Sequence, residues 1–136
     1  MVKKPTEELN DIVTQAELDA YCPDLAQWPT IWHYEPRDLV PGEHIVAVFK
    51  PFLAYLLSQC LSHKTLHLHR DNLWLLGGEL IRELHETPRL RKHPAKEWVV
   101  VAVDGGEGPL LHGGSEQEQC SFDSTCKKQY RFLLAS

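Results

Sequence analysis

Between Ile45 and Leu84 the apolar residues fall at helical spacing, predicting two amphipathic helices joined by a short turn. Ile45, Val48, Phe49, Phe52, Leu53, Leu56 and Leu57 recur at three- and four-residue steps. They form a wide stripe for a helix beginning near Gly42 or His44. Pro51 falls inside that run, where it should kink the helix or start it afresh. Leu61-Ser62 then turns the chain, with Ser62 as the expected N-cap and Thr65 at the third helical position. Leu66, Leu73, Leu76, Leu80 and Leu84 form the second stripe, widened by Trp74 and Ile81. Gly77-Gly78 in mid-helix should cost about 1 kcal/mol each relative to alanine, so another backbone is expected to approach closely there. Thr87-Pro88 ends the helix.

The flanking segments are less regular. Residues 6–20 predict one or two short helical turns, with Thr14 and Glu17 spaced as a capping box. Four prolines (Pro23, Pro29, Pro36, Pro41) interrupt residues 21–41, which predicts extended or turn structure. Pro94 to Val103 reads either as a buried strand, from its run of valines, or as a helix begun at the proline. With no second strand to pair with, helix is favoured. Residues 104–119 read as a glycine-rich loop, and Ser121 or Asp123 as the cap of a last helix with Phe122, Cys126, Tyr130 and Leu133 on its stripe.

A chain of 136 residues is one domain's worth, with enough length for a self-sufficient core. Residues 1–44 form an acidic arm rich in proline and aromatics, and residues 45–136 the helical domain. The net charge of -5 is uneven. Lys/Arg against Asp/Glu run three to nine over residues 1–44, eight to four over 45–96 and three to six over 97–136. No apolar run suits a signal peptide or a bilayer span, so the expectation is a cytoplasmic protein with no membrane partner. The four cysteines suit reduced thiols.

No catalytic motif stands in the chain, and a non-catalytic protein is expected. There is no G-x-S-x-G, and the glycines near 105–114 lack the Gly-Lys-Ser/Thr ending of a phosphate loop. His63 and His67 lie four apart, but neither they nor His112, Cys120 and Cys126 complete a zinc-ligand pattern. Neither a metal nor another cofactor is expected. The basic residues are the better candidates. Lys64, His67 and Arg70 lie at three-residue steps, and Arg89, Arg91 and Lys92 follow in the next loop. Lys127, Lys128 and Arg131 mark the polar face of the last helix. Such residues track a phosphate backbone, or form an ordinary solvated face. Trp28, Trp32 and Tyr34 would either pack the arm across the helices or serve as anchors for a protein partner.

The hairpin Phe52-Leu53 … Leu56-Leu57-Ser58-Gln59-Cys60-Leu61-Ser62-His63-Lys64-Thr65 resembles the core-binding (SAM-like) N-terminal domain of tyrosine recombinases and phage integrases. The closing SFDSTCKKQYRFLL is similar to that family's last helix. The resemblance implies an all-α, four-helix bundle with an irregular N-terminal arm. It also implies a DNA-binding accessory role, with Lys64, Thr65 and Arg70 near phosphates of double-stranded DNA and Lys127, Lys128 and Arg131 as further contacts. The family's catalytic Arg, His-x-x-Arg and Tyr set is missing, so no strand cleavage is implied. The alternative expectation is a protein-interaction or oligomerisation module, binding a recombinase or a second copy, with no direct DNA contact.

Overall fold

Helix α1 (Gln15–Tyr21) starts where the Thr14 hydroxyl accepts the Glu17 amide at 3.1 Å, the expected cap. The computed structural model describes residues 13–111 and 113–135; the expected turns over residues 6–12, and His112, lie outside it. The proline-rich stretch is not extended. It folds into a 3-10 turn (Leu25–Gln27), the short helix α2 (Trp28–Trp32) and a second 3-10 turn (Pro36–Asp38). It runs straight into α3 (Leu39–Ser58), whose first turn contains Pro41. Each of these three prolines stands in the opening positions of a helical element, where the missing N–H has no ladder partner to lose.

Helix α3 continues unbroken through Pro51, and Cys60, at φ 56°, turns the chain back. Helix α4 (His63–Glu86) begins with Ser62 accepting the Thr65 amide at 3.2 Å, as expected. A 3-10 turn (Pro88–Lys92) leads to α5 (Ala95–Val103), so residues 98–103 are helical. Helix α6 (Glu116–Ala135) starts earlier than Ser121 or Asp123. Ser115 is the cap: its hydroxyl accepts the Glu118 amide at 3.1 Å while its own amide reaches the Glu118 carboxylate at 3.4 Å.

The fold is all-α: six helices packed together, with no strand among the described residues. The four longer predicted helices are α3 to α6, and two short ones are added before them. Ile45, Phe49, Phe52 and Leu53 of α3 sit at the centre, fully buried against Leu73, Leu76 and Leu84 of α4, Val99 of α5 and Phe122 of α6. By length and composition the span Pro36–Ser58, which includes α3, is apolar enough to cross a bilayer. These buried positions instead make α3 the central helix of the bundle. Helices α4 and α6 run antiparallel, since His69 meets Thr125 while Asn72 meets Ser121.

The N-terminal segment belongs to the same core. Trp28 and Trp32 are buried against it, each worth about 1.5–3 kcal/mol of apolar burial. The close approach expected at Gly77 is made by the Trp32 indole, not by a backbone: a Cβ at Gly77 would overlap its six-membered ring. Trp32 Nε1 donates to the Trp74 carbonyl at 2.9 Å, and the Tyr21 hydroxyl donates to the Leu66 carbonyl at 2.5 Å. These bonds fix α1 and α2 along one side of α4.

Candidate functional site

The basic residues are distributed to several places. Lys64 and His67 are exposed on the first turns of α4, and Thr65 is half-buried with its amide held by Ser62. Arg70 is half-buried, donating to the Tyr21 carbonyl at 3.2 Å and pairing with Asp71 at 3.1 Å. Arg89 and Lys92 are exposed in the 3-10 turn beyond α4, whose rise from Lys64 to Glu86 is about 33 Å. Lys127, Lys128 and Arg131 are exposed on α6 and make no ion pair among the described residues. Of the aromatic candidates, Trp28 and Trp32 are interior, whereas Tyr34 is exposed, its ring edge-on to His85 at 5.0 Å.

Arg91 has a structural role. It donates to Asp38 Oδ1 at 2.7 Å, and Asp38 Oδ2 accepts His85 Nε2 at 2.8 Å and the Tyr34 and Glu35 amides at 2.9 and 3.1 Å. Burial alone would raise the Asp38 carboxyl. The Arg91 and His85 side chains and the two amides outweigh it, holding the group well below the usual carboxylate range. Glu35, Asp38 and His85 lie close enough to share a metal ion, but Arg91 already supplies the cation and the Oδ2 atom carries three donors. The arrangement is an ion-pair hub tying the N-terminal segment to the end of α4. His63 and His67, with ring centroids 6.3 Å apart, are both exposed and gain no third ligand among the described residues.

A second buried polar group joins α4 to α6. His69 Nδ1 shares a hydrogen bond with Thr125 Oγ1 at 2.7 Å, and the Asn72 amide donates to the same oxygen at 2.9 Å. Burial, and then the charge of Lys128, push the His69 imidazole below its ordinary value. It is therefore neutral near pH 7. The thiols of Cys22 and Cys126 are each pushed up to about 12, first by burial, which leaves them poor nucleophiles.

A cleft of about 700 Å³ lies between the second half of α4, the 88–92 turn, α5 and the 108–110 loop. Its walls are fixed by specific bonds. Trp98 Nε1 donates to the Leu90 carbonyl at 2.5 Å, locking the turn onto α5. The loop is strapped to α6: the Gly108 amide donates to Asp123 at 3.0 Å, and the Gln119 amide donates to the Pro109 carbonyl at 3.1 Å. Leu80, Leu84, Trp98 and Ala102 give the cleft an apolar interior, and Val101 and Leu110, each 76% exposed, stand at its mouth. Glu79 and Arg82 are shared with a smaller hollow of about 330 Å³, lined by the exposed Ile31, Tyr34, Trp74 and Leu75. The two make one apolar belt along the outer side of α4.

Sequence reasoning named Tyr34, which the structure leaves exposed, but neither the cleft nor the Asp38 hub. Both are assembled from positions far apart in the chain, 47 residues for the His85–Asp38 contact. The local signal that was legible is the Glu35-x-x-Asp38 capping box. No family model, curated protein or solved structure matches this chain.

Proposed function

We propose that this chain is a non-catalytic protein-interaction module that receives its partner along the outer belt of α4. The continuity of the two hollows through Glu79 and Arg82 carries this reading. Tyr34 and Trp74 supply exposed aromatic anchors of the kind that dominate interfaces, and Val101 and Leu110 gain from being covered. A recombinase or a second copy of the chain is the partner suggested by the core-binding resemblance. The test is site-specific photo-crosslinking in the cell, with the reactive residue placed at Tyr34, Leu75 or Val101 and, as controls, at Asp19 or Lys127. One identified protein captured from all three belt positions and neither control supports the reading. Capture that is equal at all positions, or absent from the belt, rejects it.

A second reading, duplex DNA binding, rests on one observation. The antiparallel packing of α4 and α6 sets the exposed Lys128 and Arg131 toward the end of the bundle that carries Lys64. Arg70 and Arg91 subtract from it, since both are engaged within the fold. Anisotropy with a labelled random duplex decides it. Affinity that falls steeply between about 50 and 200 mM salt, and is weakened by Lys64→Glu, favours it; no binding at the lower salt removes it.

A further inference from the structure

We infer that the cleft between α4, α5 and the 108–110 loop takes a basic amphipathic helix, an inference that rests on the protein-interaction reading. Backbone chemistry selects the helix. An extended peptide gains affinity by adding to a sheet edge, and the described residues contain no strand. The walls are helices, 3-10 turns and a strapped loop whose N–H groups are largely committed, so a bound segment must satisfy its own backbone. A helix does so internally and presents apolar residues at three- and four-residue steps. The interior it would meet is apolar, with Leu80, Leu84, Trp98 and Ala102 inside and Val101 and Leu110 at the mouth.

Charge selects the sign. The carboxylates of Glu83, Glu86 and Glu97 outnumber the two arginines of the cleft, Arg82 and Arg89, and the His93 ring lies 3.2 Å from Glu97. One of these arginines, Arg82, already lies 3.7 Å from Glu86. The lip is therefore net acidic, and lysines or arginines flanking the apolar face of the incoming helix would be drawn to it. Acidic flanks would be opposed.

The test uses the full chain and two fluorescein-labelled synthetic helical peptides of about four turns, with leucine on one face and either lysine or glutamate on the other. The leucine/lysine peptide is expected to bind about tenfold or more tighter than its glutamate counterpart, and to weaken as salt rises. Glu83→Lys should weaken it about fivefold, while Asp19→Lys, the same charge change on exposed α1, should alter it less than about twofold. Val101→Ser, on a side chain already in solvent, should weaken it without touching the core. Equal loss from Asp19→Lys would reduce the effect to overall charge and overturn the inference. Equal binding of both peptides would overturn the basic partner class while leaving an apolar docking surface in place. Failure of both to bind would overturn the cleft as the docking site, whereas the broader reading falls only if the belt positions fail to crosslink.

Discussion

Asp38→Ala is predicted to be among the most destabilising single changes in this chain. The carboxylate is fully buried and accepts four hydrogen bonds, from Arg91 at 2.7 Å, His85 at 2.8 Å and the amides of Tyr34 and Glu35 at 2.9 and 3.1 Å. The Arg91 side chain is only 17% exposed, so water replaces little of what it loses. Breaking one side of a buried ion pair costs about 3–5 kcal/mol, and the two amides add a smaller penalty softened by their nearness to the surface. The expected loss is about 3–4 kcal/mol, a large share of the stability of a domain of this size. Asp38→Asn should lose about 2 kcal/mol, because its carbonyl oxygen still accepts the backbone amides while its NH2 opposes Arg91. Urea unfolding followed by tryptophan fluorescence reads both as a lower midpoint at unchanged slope. The acid limb gives a second check. The folded Asp38 pKa lies below the unfolded value of about 3.9. Its contribution is therefore complete above that value and is lost as pH falls through the folded one. Asp38→Asn should lack this limb. A loss below about 1 kcal/mol for Asp38→Ala, or an unchanged acid limb in Asp38→Asn, would refute the hub.

Gly77→Ala and Gly78→Ala should move stability in opposite directions by thermal unfolding. At Gly77 a methyl overlaps the Trp32 indole and should cost about 1–3 kcal/mol. At Gly78 the nearest Trp32 atom is 3.5 Å away, so helix propensity should add up to about 1 kcal/mol. Cys60→Gly should stabilise by about 0.5–1 kcal/mol in urea, since φ 56° strains any residue with a Cβ. His69 is held neutral in the fold, while in the unfolded chain it gains a proton below about pH 6.5. Stability is therefore full above that pH and falls as pH drops toward the folded value, by up to about 1.4 kcal/mol per pH unit. His69→Asn should flatten that slope, and equal slopes in the two proteins would refute the assignment.

Helices α3, α4 and α6 were legible because their stripes repeat at helical spacing, α5 only because its valine run had no second strand to pair with, and the caps at Thr14 and Ser62 because a hydroxyl three residues before its amide is a local signal. The same signal, Ser115-x-x-Glu118, marks the true start of α6, but that first turn carries no apolar stripe to draw attention to it. The proline-rich segment, expected as extended or turn structure, has the turns but not the extended chain, because Pro29 and Pro36 stand where a helical turn opens and lose no ladder bond. Trp28 and Trp32, candidate anchors by composition, are both interior, and the glycine at 77 makes room for the Trp32 indole. Arg70 and Arg91 read as free cations until the fold brought the Tyr21 carbonyl and Asp38 to them. The cleft depends on how α4, α5 and the loop close on one another, and no local pattern encodes that.

The most direct test of the claim that the cleft between α4, α5 and the 108–110 loop receives a basic helix is amide chemical-shift mapping of the full labelled chain during titration with the leucine/lysine peptide. The account predicts saturable shifts concentrated at Leu84, Trp98, Val101 and Leu110, with residues of α1 unmoved. Shifts scattered over the acidic surface, or centred on Lys64, Lys128 and Arg131, would contradict it.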